Sequence, residues 1–168
     1  RIMDNMTILV VDDEPSVRSS LKGVLEDEGF QVFTADSGEQ GLKQVDKLKP
    51  DFVLLDVLMP SGIDGIETLR RIKESGSDTA VIMISGHGTI DMAVTAMELG
   101  ALDFIEKPLS IDRILVRLNQ ALERKKLQEE NVLLKKEMDE RYRMIGASPV
   151  MRELAARILQ IAPTNSRV

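Results

Sequence analysis

The sequence of 168 residues contains no cysteine and no tryptophan, and it has only one histidine and one tyrosine. Without cysteine, disulfides, thiolate metal ligands and cysteine nucleophiles are excluded. No run of eighteen apolar residues is present, so the sequence predicts no membrane span. The opening residues, Arg1 to Met6, lack the apolar segment of a signal peptide. Together these absences favour a cytoplasmic protein.

Negative charge outnumbers positive charge. Lysine and arginine number 22 against 28 aspartate and glutamate residues, for a formal net charge of −6. No basic block is interleaved with aromatic residues, so the chain itself shows no nucleic-acid footprint. The apolar fraction of 43% and the length suffice for one domain with a full core and some additional chain.

Short apolar runs alternate along the chain with segments whose apolar residues recur at helical spacing. The runs are Thr7–Val11, Gln31–Ala35, Phe52–Asp56, Ala80–Ile84 and Asp103–Glu106. The last helical segment begins with Ile111, Leu115, Leu118 and Leu122. Alternating strands and helices with short crossovers predict an α/β fold, a doubly wound five-stranded parallel sheet with helices on both faces. This domain should occupy residues 6–124.

Polar side chains stand where four of these strands end. Asp12 and Asp13 follow the first strand, Asp56 ends the third, Ser85 follows the fourth and Lys107 the fifth. Carboxyl ends of parallel strands meet at one edge, where open α/β sheets carry their sites. Three carboxylates need a cation, and oxygen ligands alone favour Mg²⁺, with Mn²⁺ as an alternative. A carboxylate can also hold a phosphoryl group covalently. The alternative is a structural ion-pair cluster.

Four motifs at these strand ends resemble the receiver domain of two-component response regulators. They are Asp-Asp-Glu, Leu-Asp-x-x-Met-Pro, Ser-Gly-His-Gly and Phe-Ile-Glu-Lys-Pro, after strands one, three, four and five. The resemblance implies a flavodoxin-like or CheY-like sheet with strand order 2-1-3-4-5. It also implies a phosphoprotein rather than a conventional enzyme, one that catalyses its own phosphorylation and dephosphorylation.

The resemblance implies a role for each strand-end residue. Asp56 would accept a phosphoryl group from a sensor histidine kinase. The implied Mg²⁺ ligands are Asp12, Asp13, Asp56 and the backbone carbonyl of Leu58, and Lys107 would bridge to the acylphosphate.

Two further residues would report phosphorylation to the rest of the domain. Ser85 would be the switch hydroxyl, in place of the commoner threonine, and Phe104 the switch aromatic, in place of a frequent tyrosine. The face from Ile90 to Phe104, which is the fourth helix and fifth strand, is then expected to form a dimer surface. His87 is interpreted as a loop residue beside glycines.

A charged helical segment follows the receiver-like region. Leu127, Asn131, Leu134 and Met138 recur at a spacing of 4, 3, 4, which is typical of a coiled-coil seam, and Asn131 would fix the register of a parallel dimer. Residues 125–143 are therefore predicted to be a long helical dimerisation linker, ended by the Ile145–Ser148 stretch. The alternative is a single solvated helix.

Residues 144–168 indicate which kind of response regulator the chain resembles. Ile-Gly-x-Ser and Ile-Ala-Pro-Thr after such a linker resemble the NtrC family of sigma-54-dependent activators, and the linker and strand-end motifs resemble its NtrX-like subgroup. The stripe Met151, Leu154, Ile158 and Ile161 would open a truncated AAA+ domain. Contacts with sigma-54 RNA polymerase and DNA would require further domains, and no G-x-x-x-x-G-K-[ST] phosphate loop is present.

Other functions fit less well. A phosphatase with an aspartyl nucleophile usually has an acid two residues later, where this chain has Leu58. A flavin or nucleotide site needs a loop rich in glycine or hydroxyls after the first strand, and Asp-Asp-Glu would repel phosphate without a metal. A receiver that stands alone is the nearest variant, and the linker argues against it.

Overall fold

The computed structural model describes residues 5–147 and positions 153, 154, 156 and 157. Over residues 5–147 the chain forms five strands and five helices in strict alternation. In order they are β1 (Thr7–Val11), α1 (Pro15–Asp27), β2 (Gln31–Ala35), α2 (Gly38–Leu48), β3 (Phe52–Asp56), α3 (Gly65–Glu74), β4 (Ala80–Ser85), α4 (Ile90–Glu98), β5 (Asp103–Glu106) and α5 (Ile111–Ala147).

The strands form a parallel sheet of order β2-β1-β3-β4-β5, as predicted. The register pairs Val11 with Leu55 and Asp56 with Ile84. Strands β1, β3 and β4 therefore end at the same edge of the sheet, and the polar residues that end them become neighbours.

The three central strands form the core. Leu9, Val53 and Met83 are fully buried, as is most of each strand around them. A parallel sheet covered by helices on both faces needs apolar residues at every position rather than at alternate ones. This need explains why β3 and β4 are continuous apolar runs.

Side chains cap four of the described helices, and Ser110 caps α5 by accepting the Arg113 N–H at 3.4 Å. Ser37 and Thr89 accept hydrogen bonds from the backbone N–H of Gln40 and Met92. Asp64 caps α3 by accepting the N–H of Glu67 at 2.8 Å. The loops before these helices consequently have fixed ends.

The chain divides into two compact units, Arg1–Asn119 and Gln120–Val168. In the first unit, the inward residues of α5 are Ile114 and Leu118, whereas Ile111 and the predicted Leu115 are only partly buried. Residues 114 and 118 are four positions apart, which matches the helical repeat of 3.6 residues per turn. The residues of the predicted stripe match this repeat equally well.

In the second unit, helix α5 continues to Ala147, so the first three residues of the Ile145–Ser148 stretch that was predicted to end it are helical, and Ser148 lies outside the described residues. One glycine costs a helix about 1 kcal/mol relative to alanine, which a long helix tolerates. The predicted stripe beyond it lies outside the described residues except for Leu154, which is helical and half-exposed. No helix among the described residues is long and apolar enough to cross a membrane.

Candidate functional site

Three carboxylates meet at the carboxyl edge of the sheet. Asp12 and Asp13 follow β1, and Asp56 is the last residue of β3. One oxygen from each lies within 4.8 Å of the others. Asp12 and Asp56 are only 2% and 4% exposed, whereas Asp13 is partly exposed. Like charges at this separation repel strongly when water is excluded, so the arrangement requires a cation.

Lys107 supplies one positive charge. It follows β5 directly, and its backbone N–H donates to the Ser85 carbonyl oxygen at 2.7 Å. Its Nζ atom lies 3.2 Å from Asp12 Oδ2 and 3.8 Å from Asp56 Oδ2. The ammonium therefore lies between the two buried carboxylates, and the four side chains together retain a negative charge that suits a divalent cation.

The electrostatic imbalance shows in the pKa values. The pKa of Asp56 is raised to about 6: burial is the largest cause and the neighbouring Asp12 charge adds to it, while Lys107 acts in the opposite direction. The pKa of Lys107 is raised: burial lowers it, but the carboxylates of Asp12 and Asp56 outweigh that effect. The Asp56 carboxylate thus has an unmet demand for positive charge.

The donor set fits a hard cation. Carboxylate oxygens without histidine or cysteine favour Mg²⁺ or Mn²⁺, and Mg²⁺ retains waters that phosphate oxygens can replace. Asp13, the partly exposed member, lies on the side that solvent can reach. The three carboxylates could therefore hold Mg²⁺ and leave coordination positions open.

The loop between β3 and α3 lies next to Asp56. The Leu58 backbone N–H hydrogen-bonds to the Asp56 carboxylate and lowers its pKa. The loop closes where the Gly65 N–H donates to the Val57 carbonyl at 2.9 Å. A Cβ atom on Gly65 would collide with the Asp56 carbonyl oxygen, so α3 can begin here only with glycine.

Ser85 and Phe104 lie beside one another near the same edge. Ser85 is fully buried, and its Oγ accepts the His87 N–H at 3.3 Å. A Cβ on Gly88 would lie 2.6 Å from Phe104 Cε1 and 3.3 Å from Ser85 Oγ. The Phe104 ring and the Ser85 hydroxyl therefore both lie close to the Gly88 backbone, which leaves no room for a side chain at position 88. His87 is exposed, consistent with a loop residue.

Asp12 is held by contacts that the sequence pattern did not reveal. The Glu14 N–H donates to Asp12 Oδ1 at 2.9 Å, and Arg18 Nη1 donates to the Asp12 carbonyl at 2.7 Å. Arg18 is one turn into α1, a position that gives no signal on its own. With Lys107 on Oδ2, both oxygens of Asp12 are already engaged.

The sequence matches the model of a known family. A family model described as "Response regulator receiver domain" matches residues 8–119. The chain belongs to the response regulator receiver family. The resemblance inferred from its strand-end motifs is therefore confirmed.

Curated relatives show which response regulators this receiver is similar to. It is 41% identical over 162 residues to the "Nitrogen assimilation regulatory protein NtrX" of Azorhizobium caulinodans, covering 96% of this chain and 36% of the relative. The chain thus spans about a third of the length of the curated relatives that it matches. The predicted likeness to NtrX is confirmed.

Solved structures of receiver domains have the same fold as this chain. The receiver domain of NtrX from Brucella abortus aligns with TM-score 0.65 and 42% identity, over 69% of this chain and 98% of that one. The beryllofluoride-activated NtrC4 receiver domain dimer aligns with TM-score 0.65 and 43% identity, over 70% and 97%. Both support the CheY-like fold predicted for this receiver.

Proposed function

We propose that this receiver accepts a phosphoryl group on Asp56 from a sensor histidine kinase, in a reaction that depends on Mg²⁺. One observation carries the proposal: the buried Asp56 carboxylate lies within 4.8 Å of two other carboxylates and 3.8 Å from Lys107. A charge-rich edge of this kind is suited to positioning and neutralising a phosphoryl group.

Asp56 is a better nucleophile than its neighbour Asp12. Asp12 has one oxygen on the Glu14 N–H and the other on Lys107. The pKa of Asp56, raised to about 6 mainly by burial, leaves the carboxylate ionised at neutral pH. An Asp56 oxygen attacks phosphorus, the bond from phosphorus to the donor's imidazole nitrogen breaks, and the imidazole keeps the electron pair.

The other site residues orient and neutralise the phosphoryl group. Asp12, Asp13, Asp56 and the Leu58 carbonyl would hold the metal. When bound, Mg²⁺ supplies positive charge that offsets the phosphoryl oxygens. The Lys107 ammonium lies within 4 Å of the Asp12 and Asp56 carboxylates. It is therefore close enough to Asp56 to contact a phosphoryl oxygen on that residue after a small movement.

The new charge on Asp56 would then change the neighbouring face. Ser85 turns its hydroxyl toward the phosphoryl group, and Phe104 takes the space that this opens. The adjoining helix α4 carries Ile90, Val94 and Met97, which are 83%, 49% and 48% exposed, while its inward residue is Ala96. An apolar surface of this kind suits self-association in a receiver dimer.

The linker offers a second surface for a homodimer. The predicted seam residues Leu127, Leu134 and Met138 are 65%, 58% and 69% exposed, and Asn131 is also exposed. Exposed leucines at heptad spacing are stabilised by a second copy of the same helix. We assign residues 6–124 to the receiver, 125–143 to this linker and 144–168 to the start of an AAA+ domain.

In the longer protein, the receiver would control transcription. By likeness to relatives named as regulators, we propose that phosphorylation governs an AAA+ ATPase that activates sigma-54 RNA polymerase in the cytoplasm. Contacts with polymerase and DNA would belong to domains beyond this chain.

Phosphoryl transfer can be tested by intact mass. The chain is incubated with Mg²⁺ and a small-molecule phosphodonor, and we expect one added phosphoryl group that is labile to base. Asp56→Ala should gain none, while Asp36→Ala, which removes an exposed aspartate after β2, should be modified normally. A folded wild-type chain that binds Mg²⁺ but gains no phosphoryl group would refute the proposal.

A further inference from the structure

The loop of residues 57–64, between β3 and α3, is attached to helix α2 by a surface carboxylate and by packing of the Ile63 side chain. Glu39, in the first turn of α2, accepts the Ile63 backbone N–H on Oε1 at 2.9 Å. This hydrogen bond is the main cause that lowers the pKa of Glu39, so the carboxylate is ionised and the contact is charge-assisted. The contact joins residues 24 positions apart in the chain.

The backbone of the loop is shaped to admit this carboxylate. Gly62 has a φ of +94°, and a Cβ there would collide with Glu39 Oε1 and lie 2.7 Å from Oε2. Only glycine combines that φ with room for the carboxylate against its Cα. Glu39 therefore contacts two successive residues of the loop, the glycine through close packing and Ile63 through a hydrogen bond.

The Ile63 side chain is held by the same helix. A Cβ on Gly38 would lie 2.7 Å from Ile63 Cγ1 and would collide with Thr68 Oγ1 of α3. In the first turn of α2, Gly38 thus packs against the Ile63 side chain, and the Glu39 carboxylate accepts the Ile63 N–H.

The other end of the loop is the proposed metal site. Val57 donates its N–H to the Ile84 carbonyl and accepts the Gly65 N–H, both at 2.9 Å, so the base of the loop is closed. Leu58 follows directly, with its N–H on the Asp56 carboxylate and its side chain 47% exposed. The loop is therefore fixed at Val57 and at Ile63. The Leu58 carbonyl lies between these two points, so its direction depends on both attachments.

We propose that Glu39 is a positioning residue for the metal site, which it acts on through the loop of residues 57–64 by fixing the backbone that carries the Leu58 carbonyl. The inference rests on the proposed Mg²⁺-dependent function. Groups that orient metal ligands without touching the metal commonly contribute about 10-fold to 100-fold in affinity. Since Glu39 is exposed, we expect about 3-fold to 10-fold weaker Mg²⁺ binding when its carboxylate is removed.

The test is calorimetric titration of Mg²⁺ into the full chain and its variants. Glu39→Ala should bind Mg²⁺ about 3-fold to 10-fold more weakly. Glu39→Gln retains an oxygen that can accept the Ile63 N–H, and should recover most of the affinity. Glu26→Ala, which removes an equal charge from the exposed face of α1, should bind as the wild type does.

A second measurement separates positioning from general stability. Amide hydrogen exchange in chelator should show faster exchange at Ile63 in Glu39→Ala, with the amides of β3 and β4 unchanged. Gly62→Ala should weaken Mg²⁺ binding in both backgrounds, because a φ of +94° strains alanine, and the loss should be smaller in Glu39→Ala, where the colliding carboxylate is gone.

Mg²⁺ binding by the wild type distinguishes failure of the proposed function from failure of the role of Glu39. A wild-type chain that does not bind Mg²⁺ would overturn the proposed function and this inference with it. If the wild type binds Mg²⁺ and Glu39→Ala binds equally well, only the role of Glu39 is overturned. Equal loss in Glu39→Ala and Glu26→Ala would overturn it too, since long-range charge would then explain the effect.

Discussion

Asp56 should destabilise the folded protein at neutral pH when no metal is bound. Its pKa is about 6 in the folded chain, against an ordinary value of 3.8 that we take for the unfolded chain. The folded state therefore binds the Asp56 proton more tightly, and the free energy of unfolding falls as pH rises through the interval between these two values. Above this interval the full penalty is present, about 2 to 3 kcal/mol.

Replacing Asp56 with asparagine removes this penalty. In chelator at about pH 7.5, we expect Asp56→Asn to be more stable than the wild type by about 2 to 3 kcal/mol in urea denaturation. At about pH 5 the wild-type carboxyl is mostly protonated in the folded state, so the gain should fall to roughly half. Below about pH 4 it should nearly vanish.

Two controls sharpen this measurement. Asp46→Asn, on the exposed surface of α2, should change the free energy of unfolding by no more than about 0.5 kcal/mol at either pH. Adding Mg²⁺ should stabilise the wild type far more than Asp56→Asn, because the metal binds the folded state through the missing carboxylate. An Asp56→Asn chain that is equally or less stable in chelator at neutral pH would refute the electrostatic account.

Further substitutions test the surrounding contacts. Lys107→Met removes the ammonium that lowers the pKa of Asp56, so carboxyl NMR in chelator should show that pKa rising above 6; an unchanged or lower pKa would contradict the assigned ion pair. Gly65→Ala pushes a methyl group into the Asp56 carbonyl and should cost about 2 to 4 kcal/mol in urea denaturation, whereas Gly23→Ala, on open surface of α1, should be neutral or stabilising. In sedimentation, Leu134→Asp should weaken self-association and Leu133→Asp, equally exposed but off the seam, should not; equal effects would argue against the seam.

The fold could be predicted from the sequence because its physical requirements leave strong local marks. A strand buried on both faces must be apolar throughout, and the runs ending at Val11 and Asp56 meet that requirement. Since parallel strands share one carboxyl edge, the positions of Asp12, Asp13, Asp56 and Lys107 along the chain were enough to predict that they meet.

The supporting contacts could not be predicted because they depend on distances between elements. Nothing in the local sequence shows that Gly65 lies against the Asp56 carbonyl, or that Glu39 reaches Ile63. Arg18 likewise looks like any polar residue on the outer side of a helix until its contact with the Asp12 carbonyl is seen. Such residues have no periodicity that would single them out.

The end of α5 shows a different limit. Gly146 resembles a helix terminator, yet the described helix continues through it to Ala147. The propensity of one residue is a small energy compared with the accumulated preference of the preceding turns. Prediction of element type was therefore sound here, and prediction of its boundary was not.

The central claim, that Asp56 is the phosphoryl acceptor, is tested most directly by mapping the modified residue. After incubation with Mg²⁺ and a small-molecule phosphodonor, borohydride reduces an aspartyl phosphate to the corresponding alcohol, and peptide mass spectrometry identifies the position. We predict a single reduced residue at position 56. Reduction at Asp12 or Asp13, or a phosphoryl group that resists borohydride on Ser85, would contradict the account.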